Sequence, residues 1–322
     1  MRQTPARTPL SLAAAGPRPL RKLLTATLAA AVLVLTACSG GAASDRPLVV
    51  VTTNILGDVV SNLVGDDVEV VTLMRPGADP HSFEISAAEA ARMRSADLLV
   101  ANGMGLEEGL QQHLDAAASE GVRTFVAEDA VTVLPYTSTD AEGADDPHFW
   151  TDPAQMIAVV DALTPVLESV GGGDAAGAIA DRAAAYRAEL TELDAEMTAS
   201  FAAIPAERRA LVTNHHVFGY LADRFGFRLV GAVIPGGTTL AAPSTSDLAD
   251  LVAAIDKAGV PTVFAESSSP DRLVRALADE ADRQVAVTEL FTESLTDADG
   301  GAPDYLTMMR VNTERIRSGL AP

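Results

Sequence analysis

Thiols are nearly absent from this chain: Cys38 is the only cysteine in 322 residues. A lone thiol has no disulfide partner, so the fold gains nothing from cross-links, and a cysteine-stapled zinc module is excluded. Basic residues are also scarce, at 23 Lys+Arg against 44 Asp+Glu, a formal net charge of −21. Five of those bases precede Cys38 (Arg2, Arg7, Arg18, Arg21 and Lys22) with no acid among them, which leaves 18 against 44 beyond it, a net of −26. Such a surface disfavours nucleic acid and anionic head groups as partners, whereas its field attracts cations. There is no His-Glu-x-x-His helix and no Gly-x-Ser-x-Gly elbow, the signatures of zinc proteases and of α/β-hydrolases. Histidine itself is rare, with five in the chain.

The amino terminus points to export. After the basic leader comes the apolar run Leu23 to Leu35, broken only by Thr25 and Thr27. This is a secretory core, too short to span a bilayer comfortably. It ends in Leu35-Thr36-Ala37-Cys38, the pattern of a bacterial lipobox, which explains the lone thiol as a lipidation site. Residues 1–37 are therefore read as a cleaved signal peptide, and 38–46 as a flexible Ser/Gly/Ala tether. The body is expected outside the cytoplasm, held to the cell membrane by acyl chains on Cys38.

Beyond residue 46 the pattern alternates between strand and helix. Leu48 to Thr53 is a continuous β-branched run suited to a strand buried on both faces. A helix follows from Ile55 to Val64, then a strand from Val68 to Leu73, and Ser86-Ala87-Ala88-Glu89 opens a helix with a capping box. Leu98 to Ala101 and Val122 to Ala127 repeat the strand signal, and a helix runs from Pro153 to Val170. From Asp174 to Ala203 there is no proline, and Ile179, Ala183, Tyr186, Leu190, Leu193, Met197 and Phe201 form one stripe at helical spacing. That predicts one helix of nearly thirty residues, roughly 45 Å long. The alternation then restarts with strands at Leu211-Val212, Phe227 to Ile234, Thr262 to Ala265 and Gln284 to Thr288, and with helices from His216, Ser244 and Pro303. The expected fold is α/β: two lobes (47–173 and 204–322), each a parallel sheet flanked by helices, joined by a rigid helix over 174–203.

Four residues stand out where strands or loops run into helices: His81, His148, His215 and Glu293. Imidazole nitrogen and carboxylate oxygen are the ligands zinc and manganese accept when no thiolate is available. His81 and His148 each close an Asp-Pro-His tripeptide, at 79–81 and 146–148, and the second sits beside Trp150, the only tryptophan. His215 is followed directly by His216, and two successive residues at a helix start point about 100° apart, so only one of the pair faces a cleft. Glu266, at the end of a strand, suits either a general base or an acceptor orienting a ligand imidazole. His113 lies in a polar helix and is read as a surface residue.

Together DPHSFE, DPHFWTDP, NHHVFGY, FAESS and FTESL, with a lipobox in front, resemble the metal-binding solute-binding lipoproteins of bacterial ABC importers, cluster A-I. That family includes zinc- and manganese-specific members, and the resemblance spans essentially the whole chain beyond the leader. It implies that His81, His148 and His215 are ligands, His215 rather than His216, and that Glu293 is the fourth, where the family usually has Asp. It also implies a monomeric, non-enzymatic protein that captures a divalent ion and passes it to a permease and its ATPase. The histidine-rich loop of many zinc members is replaced here by the short acidic stretch 136–146. Three imidazoles and one carboxylate favour Zn2+ as the carried ion, with Mn2+ the alternative, because manganese prefers more oxygen ligands. Two other classes remain as alternatives, a secreted zinc hydrolase and an adhesin-type surface lipoprotein.

Overall fold

The computed structural model describes residues 46–138, 141 and 143–321; the leader and Cys38 lie outside them. Strand β1 (Leu48–Val51) leads into helix α1 (Asn54–Val64), which Thr53 caps by accepting the Leu56 N–H. Then follow β2 (Glu69–Thr72), α2 (Ala87–Arg94), β3 (Leu98–Ala101), α3 (Gln111–Ser119) and β4 (Thr124–Val126). The capping box expected at α2 is present, between Ser86 and Glu89. These strands make a four-stranded parallel sheet of order β2-β1-β3-β4.

Two long helices come next, α4 (Pro153–Gly171) and α5 (Gly173–Ala202), separated by Gly172 in a positive-φ conformation that breaks the helical path. The second sheet is built from β5 (Ala210–Thr213), α6 (Gly219–Phe225), β6 (Arg228–Ala232), α7 (Thr245–Ala258), β7 (Thr262–Glu266), α8 (Arg272–Glu280) and β8 (Ala286–Leu290), and α9 (Tyr305–Leu320) ends the chain. Its order, β6-β5-β7-β8, repeats that of the first, again all parallel.

Side-chain alternation distributes the strands between cores. Val49 and Val51 point into a cluster shared with α1, α4, α5 and α9, whereas Val50 and Leu99 point the other way, onto Met93 of α2 and Ala117 of α3. In the second sheet Leu211 and Phe264 join the shared cluster, and Val212, Val263 and Ala265 pack with Leu251 and Ile255 of α7. The buried residues of α5 are the seven of the stripe, Ile179 to Phe201. At 30 residues this helix is roughly 45 Å long, and it packs along α1 and α4 on one side and α9 on the other.

Strand β8 and helix α9 each begin two residues later than the sequence reading places them, and the start of α6 departs furthest. The helix expected from His216 begins three residues later, at Gly219. The His215 carbonyl, which would accept from residue 219 in a helix started at His216, instead accepts the Val217 N–H at 3.0 Å and the Thr213 hydroxyl at 2.7 Å. Both histidines therefore sit in a tight turn, and their directions are not set by helical rotation.

Candidate metal centre

Each sheet reverses its strand order beside its first strand, at β1/β3 and at β5/β7. Parallel sheets place ligands beyond the carboxyl ends of strands at such points. His81 lies between β2 and α2, His148 between β4 and α4, His215 directly after β5, and Glu293 just after β8. The structure brings all four together, with one donor atom from each lying within 4.8 Å of the others. Glu293 Oε1 is 3.0 Å from His81 Nε2, and 3.2 Å from both His148 Nε2 and His215 Nε2. His148 Nε2 is 3.4 Å from the Nε2 of His81 and of His215. All four residues are at most 2% exposed, so water does not compensate their charges.

The repeated Asp-Pro-His tripeptide has a local cause. Asp79 Oδ1 accepts the His81 N–H at 2.8 Å, and Asp146 Oδ1 accepts the His148 N–H at 3.0 Å. Each is an Asx turn in which the intervening proline presets φ and offers no competing N–H. Asp146 acts a second time, with Oδ1 2.7 Å from His148 Nδ1. A Cβ on Gly219 would fall on the other oxygen of Asp146, so only glycine lets this carboxylate seat against the start of α6. His215 is served by Glu266, whose Oε2 lies 2.8 Å from Nδ1, off the N–H direction, while its Oε1 accepts from the Asn214 amide. With Nδ1 facing a carboxylate, each of these rings turns the lone pair of Nε2 toward the cluster. His81 has no such support, because its Nδ1 is buried without a partner.

Electrostatics follow the geometry. Burial alone would push the His148 imidazole down, but Asp146 and Glu293 outweigh it and raise its pKa above the ordinary histidine value. His215 is raised further, since Glu293 and Glu266 together overcome its burial. Burial likewise favours a neutral Glu293, yet His215, His148 and His81 hold its carboxyl well below the usual range. These shifts favour protonated His148 and His215 imidazoles beside an ionised Glu293. Glu293 Oε2 is buried and unpartnered, leaving a second carboxylate oxygen for a cation.

Several supporting contacts were not anticipated from sequence. Trp150 Nε1 donates to the Thr292 carbonyl at 2.8 Å, and the Tyr305 hydroxyl donates to the Trp150 carbonyl at 2.6 Å. The Asn54 amide donates to Ser294 Oγ at 2.8 Å and accepts the Leu295 N–H at 3.0 Å, while Gly77 N–H donates to the Leu295 carbonyl at 2.9 Å. The segment carrying Glu293 comes from the second half of the chain but is thus clasped by the first lobe. Asn54 gave no signal beyond following a strand; the doubled Asp-Pro-His was the one available sign of Asp79 and Asp146. His216 stays outside the four, its ring 6.3 Å from that of Tyr136, beside a cavity of about 520 Å3 bordered by Tyr136, Asp146 and Gly219. His113 lies on α3, half-exposed and away from the cluster.

This architecture has known counterparts. The family described as "Zinc-uptake complex component A periplasmic" matches residues 49–319. The zinc-binding protein TroA of Treponema pallidum is 32% identical over 284 residues, covering 87% of this chain and 91% of that protein. The manganese ABC transporter substrate-binding lipoprotein PsaA of Streptococcus mitis is 28% identical over 299 residues, 90% and 96% of the two chains. In structure, the Treponema pallidum periplasmic zinc-binding protein aligns with a TM-score of 0.79 over 86% of this chain and 100% of its own. A manganese-bound periplasmic metal-binding protein of Candidatus Liberibacter asiaticus, at 24% identity, shares the fold with a TM-score of 0.75, covering 85% of this chain and 100% of that one. Matched along nearly all of its described length, the chain belongs to the cluster A-I family of ABC-transporter metal-binding solute-binding proteins, which are not enzymes.

Proposed function

We propose that this protein captures one divalent metal ion outside the cytoplasm, with zinc favoured over manganese, and delivers it to the permease of an ABC importer. His81, His148 and His215 supply Nε2 and Glu293 supplies a carboxylate oxygen. The observation that carries this reading is the spacing of the donors. A tetrahedral zinc with bonds of about 2.0–2.1 Å holds its ligand atoms roughly 3.3–3.4 Å apart. Five of the six donor pairs lie between 3.0 and 3.4 Å. Three neutral imidazoles suit zinc better than manganese, which prefers more oxygen. The unpartnered Glu293 Oε2 can add a fifth donor and is what keeps manganese as the second choice. Relatives are named for both ions, zinc in TroA and manganese in PsaA. Glu266 is held by His215 and Asn214 and has the role of orienting an imidazole, not of activating water.

Calorimetric titration of metal-free protein with zinc should give a single site per chain. At a free-metal excess of about a thousand times Kd the ion stabilises the fold by about 4 kcal/mol. For a chain of this size that corresponds to a Tm rise on the order of 5–10 °C. No binding, or several equivalent sites, refutes the single-cage reading, and elemental analysis of protein from its own envelope fraction identifies the carried ion.

We further propose that the body is a monomer anchored by lipid on Cys38. Cys38→Ala should release it from the membrane fraction with metal affinity unchanged, because the thiol that would carry the acyl chains is gone. An unmodified Cys38 in the membrane-bound protein, seen by mass spectrometry, would rule out this mode of attachment.

A further inference from the structure

One connection touches the segments of all three histidines. It runs from the end of β6 to the start of α7. At its root Val233 N–H donates to the Thr213 carbonyl at 3.0 Å and Ile234 N–H to the Asn214 carbonyl at 2.7 Å, pinning it to the turn that carries His215. Farther along, the Gly237 carbonyl accepts the Tyr136 hydroxyl at 3.0 Å, and that hydroxyl lies 3.4 Å from His148 Nδ1. A Cβ on Gly237 would collide with the Tyr136 ring, so the close passage over this aromatic requires glycine. Two residues on, Thr239 Oγ1 donates to Asp79 Oδ2 at 2.6 Å, while Asp79 Oδ1 holds the His81 N–H. His148 and His215 each have a carboxylate oxygen within 2.8 Å of Nδ1, whereas His81 Nδ1 is buried without a hydrogen-bond partner, so the Asx turn is a restraint that His81 depends on.

We infer that the β6–α7 connection is a latch across the metal cleft and that Thr239, through Asp79 and His81, is the positioning residue that sets how fast the ion leaves. The inference rests on the metal-binding reading above. Thr239 contacts no donor atom. Its hydroxyl fixes one oxygen of Asp79 and so keeps the other on the His81 backbone. When that bond opens, the turn loosens and the least supported imidazole swings away first. Tyr136 provides the second grip, beside His148. Because the root is bonded to the His215 turn, this one connection restrains the segments of all three histidines.

The test follows chelator-driven release of Co2+ from loaded protein by stopped flow, reading the cobalt d–d absorption. Thr239→Val should accelerate release about tenfold, at the lower end of what loss of an outer partner costs a metal site. Its starting spectrum should match the parent, because the four donors remain. Thr239→Ser, which keeps the hydroxyl, should release at the parent rate, and adding Tyr136→Phe to Thr239→Val should accelerate release further. Parent-like release by Thr239→Val, a Thr239→Ser variant as fast as Thr239→Val, or an altered starting spectrum overturns the latch while leaving the metal site standing. A parent that takes up no cobalt, zinc or manganese overturns the metal-binding reading, and the latch with it.

Discussion

Replacing His215 with alanine should weaken zinc binding by well over the about hundredfold that marks the upper end for loss of an outer partner, because a donor in contact with the ion is removed. The same change at His216 should stay within about tenfold of the parent, as expected for a residue outside the ligand set. The contrast is structural. His215 is fully buried with Nε2 at 3.2 Å from Glu293 Oε1, whereas His216 faces Tyr136 and the neighbouring cavity. Glu293→Ala should fall between the two, since water partly replaces a carboxylate oxygen, and Glu293→Asp should be mild. Competition with a chromophoric chelator ranks all four variants. A damaging His216→Ala beside a silent His215→Ala would mean that the ligand has been assigned to the wrong member of the pair.

Metal affinity should rise steeply with pH, by about tenfold per unit for each proton the ion displaces. In the metal-free protein His148 and His215 both hold their protons above the ordinary histidine range, so up to two must leave before two nitrogens can bind. Zinc affinity between about pH 5.5 and about pH 7.5 should therefore climb with a slope of about one to two log units per pH unit, the range in which histidine titrates. Stability follows the same linkage. The raised histidines stabilise the metal-free fold fully below the unfolded imidazole pKa and lose that contribution as pH rises through their folded values. Glu293, depressed, contributes above the unfolded carboxyl pKa and loses its contribution only as pH falls through its low folded value. The gap in Tm between metal-bound and metal-free protein should accordingly widen as pH increases. A gap independent of pH would contradict the proton-loaded cluster.

Much of this was legible in the sequence, and the limits were physical. Runs such as Leu48 to Val51 are buried on both faces, so hydrophobicity marks them without help from the rest of the chain. The stripe on α5 is equally local, because helical periodicity shows in spacing alone. The four residues that the structure brings together were singled out by junction position and by the doubled tripeptide, which also writes down the Asx turns at Asp79 and Asp146. The start of α6 was not legible. Thr213 and Val217 compete for the His215 carbonyl, a local choice that hydrophobic pattern does not record. Nor were Asn54, Thr239 or Tyr136, whose partners lie 240, 160 and 101 residues away and are set by how the lobes meet.

The clasp on the Glu293 segment also bears on when the cage comes into being. Asn54 and Ser294, bonded at 2.8 Å, are separated by 240 residues, so this closure joins the beginning of the described chain to its end. Loop closure costs entropy before the contact repays it, and contacts of such range form late. A chain emerging from its amino terminus presents His81, His148 and His215 in turn, but the carboxylate arrives only after β8. The clasp then needs the first lobe already folded to receive it. Until that moment the three imidazoles lack the carboxylate that all of them face in the folded protein. The four-residue cluster is thus complete only once the two ends of the described chain have met.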